Sequence, residues 1–314
     1  MRKWMLALAL IVAVMCVGAV AYADVAIDEI NFPDDNFRSY VAQFDKDGDG
    51  MFSEEELERV TYISCSSMNI TDLNGIEHFP ALTALSCYGN QLTELDVSNN
   101  NALISLNCSY NQLVELGVSN NTALTTLKCY SNQLTELDVG NNTALTTLDC
   151  SSNQLIALDV SKNTALTMLN CVGNQLTELD VSNNTALTSL ECGNNLLTEL
   201  DVSSNTVLTE LRCYSNQLTE LDVNDNTALT VLQIDNNHLT ELNISNNSVL
   251  TELWCYDNSL TILDLRNNTT LEYLGCGRNQ LNELDVSNNT LLTYLDCADN
   301  NLTELDIRKN TALT

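Results

Sequence analysis

From Leu82 onward, apolar and polar residues recur along the chain with a period of 21 and no slip. The stretch LTALSCYGNQLTELDVSNNNA, Leu82–Ala102, restarts at Leu103, Leu124, Leu145, Leu166, Leu187, Leu208, Leu229, Leu250, Leu271 and Leu292. A fixed period in the range of roughly 20–50 residues marks a solenoid. The shared pattern, L-x-x-L-x-C-x-x-N-x-L-x-x-L-x-V-x-x-N-x-A, sets about seven small or apolar residues on an inner face. One copy has nothing to bury that face against, so stability must come from stacking neighbours.

Each copy reads as two extended segments joined by bends. In the first, such as Ala84 to Tyr88, Leu85 and Cys87 point inward and their neighbours outward. The second, such as Glu94 to Val97, alternates in the same way. Two asparagine columns, Asn90 to Asn300 and Asn100 to Asn310, stand at the bends, where a carboxamide can satisfy backbone groups of the neighbouring copy. No proline follows Pro80, and neither segment has room for a full helix. The expected stack is parallel β on one face and extended or single-turn on the other, running from residue 60 to residue 314 as about 12 repeats with an open C-terminal end.

Ahead of the repeats the pattern changes. Residues 1–23 read as an export signal: Arg2 and Lys3, an apolar run from Leu6 to Val20, and the small-x-small site Ala21-Tyr22-Ala23. Residues 24–59 form a separate helical unit. There Phe37, Tyr40, Val41 and Phe44 share one face of a short helix, with Asp34 or Asp35 as its N-cap. The following run DKDGDGMFSEEE, Asp45 to Glu56, matches the calcium-loop pattern D-x-[DN]-x-[DN]-G-x5-E at every required position. Asp45, Asp47 and Asp49 supply oxygens, Gly50 the sharp turn, Met51 a carbonyl, Ser53 an oxygen or a water, and Glu56 a closing pair of oxygens. Ser53 and Glu56 also read as a capping box for a second helix, with Leu57 and Val60 inward. One unpaired loop points to a weak structural calcium and to a cap over the first, atypical repeat at residues 60–80.

Charge narrows the partners. The chain carries 42 acidic against 12 basic residues, a formal net charge of −30. Nucleic acid and anionic lipid both reward clustered Lys and Arg, so both are excluded, as is membrane insertion once the signal is removed. The eleven cysteines beyond Cys16 form a column broken by Ile234, which indicates a site for a small hydrophobe rather than disulfides or metal. Acidic columns on the second segment, including Glu94, Glu136 and Glu178 beside Asp96, Asp138 and Asp180, read as a solvated face with a weak-cation alternative. His78 and His238 lack patterned nucleophile partners, so the chain reads as a non-enzyme.

Outward positions of the first segment vary from copy to copy and hold most aromatics. Tyr130, Arg212, Tyr214, Trp254, Tyr256, Tyr273 and Tyr294 form the candidate ligand face, densest at Tyr214, Trp254, Tyr256 and Tyr273.

The stretch LTTLKCYSNQLTELDVGNNTA, Leu124–Ala144, resembles bacterial leucine-rich repeats of 21 residues, above all internalin-type surface proteins with a cysteine ladder. The resemblance spans eleven consecutive copies, and similar proteins place a short EF-hand-like segment ahead of the repeats. It implies an α/β leucine-rich repeat solenoid with parallel strands on a concave face, secreted or held at the cell surface. It also implies an adhesive role in which that face binds a protein or carbohydrate ligand. Alternatives are a calcium-stabilised structural or self-assembling surface element, stacked end to end, and the recognition part of a longer protein.

Overall fold

The computed structural model describes residues 24–314; the expected signal, residues 1–23, lies outside the described residues. The leucine columns lie buried through the stack as far as Leu292, with Leu106, Leu127, Leu148 and Leu169 each at 0 % exposure, and are partly buried at Leu295, Leu302 and Leu305 of the last repeat. Their strands form one parallel sheet of twelve, ordered as in the sequence. It begins with β3 (Tyr62–Ser64), β4 (Ala84–Ser86), β5 (Ser105–Asn107), β6 (Thr126–Lys128), β7 (Thr147–Asp149) and β8 (Met168–Asn170). It continues through β9 (Ser189–Glu191), β10 (Glu210–Arg212), β11 (Val231–Gln233), β12 (Glu252–Trp254), β13 (Tyr273–Gly275) and β14 (Tyr294–Asp296). From β4 onward residue i pairs with residue i+21, as in Leu127 with Leu148 and Leu211 with Leu232, so each column of the repeat is a column in space; the atypical first repeat pairs at i+22, as in Ile63 with Leu85.

The two asparagine columns act as expected, each in its own way. At the first bend Asn153 donates from Nδ2 to the carbonyls of Cys129 (3.1 Å), Cys150 (3.0 Å) and Ser151 (3.2 Å), while its Oδ1 accepts the Leu134 amide (3.0 Å). At the second, Asn163 donates to the carbonyls of Val139 (3.0 Å) and Asn142 (2.9 Å). Each such side chain ties two adjacent copies together by satisfying their backbone groups.

The second segment buries Leu95 and Val97 as expected but builds no sheet: only the isolated bridge Asp96–Gly117 forms there among the described residues. Aspartates of the acidic column bend the chain instead. Asp96, Asp138 and Asp180 accept the amides of Ser98, Gly140 and Ser182 at 2.8, 2.8 and 2.9 Å. The Ser98 hydroxyl and then its amide hold the Asp96 carboxyl below its usual range. These aspartates therefore have a structural use beyond a solvated face.

Among the described residues the eleven cysteines are free thiols, buried at all positions but the half-exposed Cys297. Burial raises the Cys108 pKa to about 12, so it stays protonated and inert. Its Sγ lies 3.7 Å from the Lys128 carbonyl, a weak hydrogen bond along the stack.

A small helical cap closes the N-terminal end. Helix α1 (Asp35–Val41) is N-capped by Asp34, whose Oδ1 accepts the amides of Asn36 and Phe37, and it buries Phe37 and Val41. Helix α2 (Glu54–Arg59) starts at the Ser53–Glu56 capping box and buries Leu57. Two short strands, β1 (Val25–Ala26) and β2 (Met51–Phe52), pair antiparallel. Phe32 is the hub, with its ring 6.1 Å from Phe37, 5.7 Å from Phe52, 5.7 Å from His78 and 6.2 Å from Phe79. Polar ties complete the junction: Tyr40 Oη accepts the Ser64 amide of edge strand β3 (2.8 Å), and Asp34 Oδ2 accepts the Thr71 amide (2.8 Å).

Candidate functional site

Because the strands are in register, outward side chains form three columns on the sheet face. At the C-terminal end Trp254, Gly275 and Asp296 share one column, and Tyr273 and Tyr294 share the next. Gly275 decides the local geometry. A Cβ there would sit 2.3 Å from Trp254 Cε3, so the indole lies flat over the glycine and reaches Tyr294, centroid to centroid 5.5 Å. Tyr256 closes edge-on from the other side at 6.5 Å. The indole N–H donates to Glu252 Oε1 (2.5 Å), which also accepts Gln233 Nε2 (3.0 Å).

The expected dense group of Tyr214, Trp254, Tyr256 and Tyr273 is not one cluster. Tyr214 leans the other way, over Gly193, where a Cβ would come within 2.7 Å of its ring. Tyr273 pairs its backbone with Tyr294 but enters no ring contact among the described residues. Arg212 sits between Glu210 (2.6 Å) and Glu191 (3.3 Å), so its charge is already matched. Around these aromatics the face is acidic: Glu191, Glu210, Asp235, Glu252, Asp257 and Asp296 against Arg212 and Arg278. Burial pushes the Asp235 carboxyl above its usual pKa, and the Tyr256 hydroxyl beside it draws that pKa back down.

Tyr130 belongs elsewhere. It packs 5.2 Å from Tyr110, which packs 5.2 Å from Tyr88, and Tyr88 and Tyr130 stand 6.4 Å apart. The expected ligand set missed Tyr110 because it occupies the bend rather than the strand. The legible signal was Ser109, a small residue between two tyrosines in one column.

The cap loop brings Asp45, Asp47 and Asp49 together, with one oxygen of each within 4.8 Å of the others. The Asp49 amide lowers the pKa of Asp47. Desolvation and the charges of Asp49, Glu56 and Asp45 outweigh it, so the net shift is upward. Glu56 is not part of that trio: its Oε1 accepts the Lys46 amide (2.6 Å) and its Oε2 the Ser53 amide (3.0 Å). Those bonds, Lys46 first, hold its carboxyl at about 2. Met51 lies in β2 and Ser53 caps α2, so two further expected ligands are fixed by local structure. The three converging carboxylates are the hard-oxygen donor set that suits calcium. The Lys46 ammonium does not neutralise them, since it donates to the Gln43 carbonyl (3.1 Å).

No protein-family model matches the chain. Over 70 residues, 22 % of the chain, it is 44 % identical to internalin J of Listeria monocytogenes, of whose length the aligned segment is 8 %. The solved functional domain of internalin J, which includes a cysteine ladder, superposes with a TM-score of 0.90 at 42 % identity, covering 93 % of this chain and 66 % of that domain. A crystallised Listeria internalin, inlF, gives a TM-score of 0.83 at 25 % identity and covers 93 % of this chain and 96 % of its own. The chain is an internalin-like leucine-rich repeat protein that carries a cysteine ladder.

Proposed function

We propose that the chain is a non-enzymatic recognition protein, secreted or held at a cell surface, that binds a protein partner through its strand face. The observation that carries this reading is the Trp254–Tyr256–Tyr294 cluster. Large rings are laid out on a rigid sheet, Gly275 gives the indole its bed, and Glu252 fixes the indole's edge. Such pre-placed aromatics lose little freedom on binding. The surrounding carboxylates favour a partner whose contact surface carries Lys or Arg. No helix among the described residues is long and apolar enough to cross a membrane.

A panel of basic, neutral and acidic polypeptides, titrated at low and raised salt, tests the reading. Basic polypeptides should bind, more weakly as salt rises. Trp254→Ala should weaken them at least tenfold with Tm unchanged. Equal binding by the variant, or a preference for acidic polypeptides, contradicts the proposal.

Calcium belongs to the same reading. Asp45, Asp47 and Asp49 would hold the ion, with the Met51 carbonyl, Ser53 and a re-aimed Glu56 completing its shell. The ion's contribution would be to neutralise those carboxylates and stiffen the cap. Calorimetry should detect one calcium with a dissociation constant on the order of 10⁻⁴–10⁻³ M, weakened about tenfold or more by Glu56→Gln. Absence of heat and of any Tm shift at 10-fold that concentration would remove the metal from the account.

A further inference from the structure

The three tyrosines at the opposite end of the sheet are a structure in their own right. Their columns should not bring them together, since Tyr88 and Tyr130 sit two repeats apart and Ser109 stands between them. Serine makes the closure work: it fills so little of the column that the two rings meet at 6.4 Å above it. Tyr110 then stands edge-on to both, at interplanar angles of 66° and 83°.

Two features mark this arrangement as more than packing. Tyr110 has a φ of +52°, a left-handed conformation that disfavours bulky side chains. At that bend position the other repeats use Gly89, Ser131, Ser152, Gly173, Asn194, Ser215, Asn236, Asp257, Arg278 and Asp299, so an aromatic is not what the turn itself asks for. Beneath the rings, Ser109 is fully buried and its hydroxyl has no hydrogen-bond partner among the described residues. Despite the strain, the Tyr110 ring is not tucked into the core; it stays 52 % exposed.

The surroundings identify the ligand class. Strands β4 to β7 turn outward Ala84, Ser86, Ser105, Asn107, Thr126, Lys128, Thr147 and Asp149, a strip of hydroxyls and a carboxamide whose single Lys and Asp are register partners. Unlike the acidic end of the sheet, this strip has no net charge and offers no steering to a basic polypeptide. Every strand here is hydrogen-bonded on both sides, so no edge is free to take up a peptide strand. A group that offers an apolar C–H face to the tyrosines and hydroxyls that both donate and accept toward Ser, Thr, Asn, Lys and Asp is a pyranose ring. We infer that the Tyr88–Tyr110–Tyr130 shelf, with the neutral strip of β4 to β7 beside it, is a second binding site that takes a neutral oligosaccharide. It is separate from the Trp254 patch and does not depend on that patch having a partner.

Chitohexaose, cellohexaose and N-acetyllactosamine oligomers, together with sulfated and sialylated counterparts, would be titrated against the chain and three variants. Tyr110→Asn removes the ring while suiting the left-handed bend, so it should weaken neutral oligosaccharide binding at least tenfold with Tm equal or higher. Tyr88→Ser combined with Tyr130→Ser should do the same to binding, and Trp254→Ala should leave it intact. The inference is overturned if no neutral oligosaccharide binds at millimolar concentration, or if only the acidic counterparts do. It is equally overturned if Tyr110→Asn binds as well as wild type or lowers Tm, or if Trp254→Ala abolishes binding.

Discussion

Replacing Asn153 by alanine is expected to destabilise the protein by about 3–5 kcal/mol, since a buried donor or acceptor left unpaired costs about 1–3 kcal/mol. The truncation leaves the Leu134 amide unpaired and takes one of two bonds from each of the Cys129, Cys150 and Ser151 carbonyls, which keep Asn132, Asn174 and the Ser131 amide, each lost bond adding about 0.5–1.5 kcal/mol. The solenoid geometry enlarges the consequence. Each repeat touches only its neighbours, so a broken interface uncouples the two halves of the stack. Equilibrium chemical denaturation should show a lower midpoint and a broadened or split transition. Asn141→Ala is the control: that exposed side chain makes one bond, to the Ser119 carbonyl at 3.3 Å, and should cost no more than about 0.5 kcal/mol. Equal effects for the two variants would mean that the buried column is not the frame.

Phe32→Ala is expected to cost about 3–5 kcal/mol, the range for truncating a buried phenylalanine. The ring touches Phe37, Phe52, His78 and Phe79, and it rests on Gly75, where a Cβ would meet Phe32 Cδ1 at 2.3 Å. Its loss separates the cap from the first repeat and exposes edge strand β3, whose Ser64 amide is held by Tyr40. Hydrogen exchange should show the Ser64 and Thr71 amides losing protection while β8 to β10 keep theirs. If the cap opens and Tm stays constant, the cap adds nothing to the solenoid.

Much of this architecture was legible because the contact order of a solenoid is its repeat length. Aligning the copies places Leu, Cys and Asn columns as they stand in space, and the expected twelve strands follow from the same alignment. Cap helices were readable for a local reason: Asp34 and the Ser53–Glu56 pair cap within a few residues of where they sit. What alternation does not reveal is lean. An outward ring falls toward whichever neighbouring column position is empty, and so Tyr214 covers Gly193 while Trp254 covers Gly275. Tyr110 escaped because a positive φ is a property of the bend, not of the tyrosine. The aspartate column was read as solvated charge, yet its oxygens close turns two residues on.

Gly275→Ala separates binding by a pre-placed aromatic cluster on the strand face from binding by the same rings left unplaced. Gly275 adopts an ordinary backbone conformation, so alanine leaves the chain unstrained while its methyl would occupy the space beneath the indole. Every ring remains present, and only Trp254 must move. The measurement is the dissociation constant of the tightest basic polypeptide for this variant and wild type. At least a tenfold loss with Tm unchanged is expected; an unaltered constant would mean that the placement of the Trp254 indole does not drive binding.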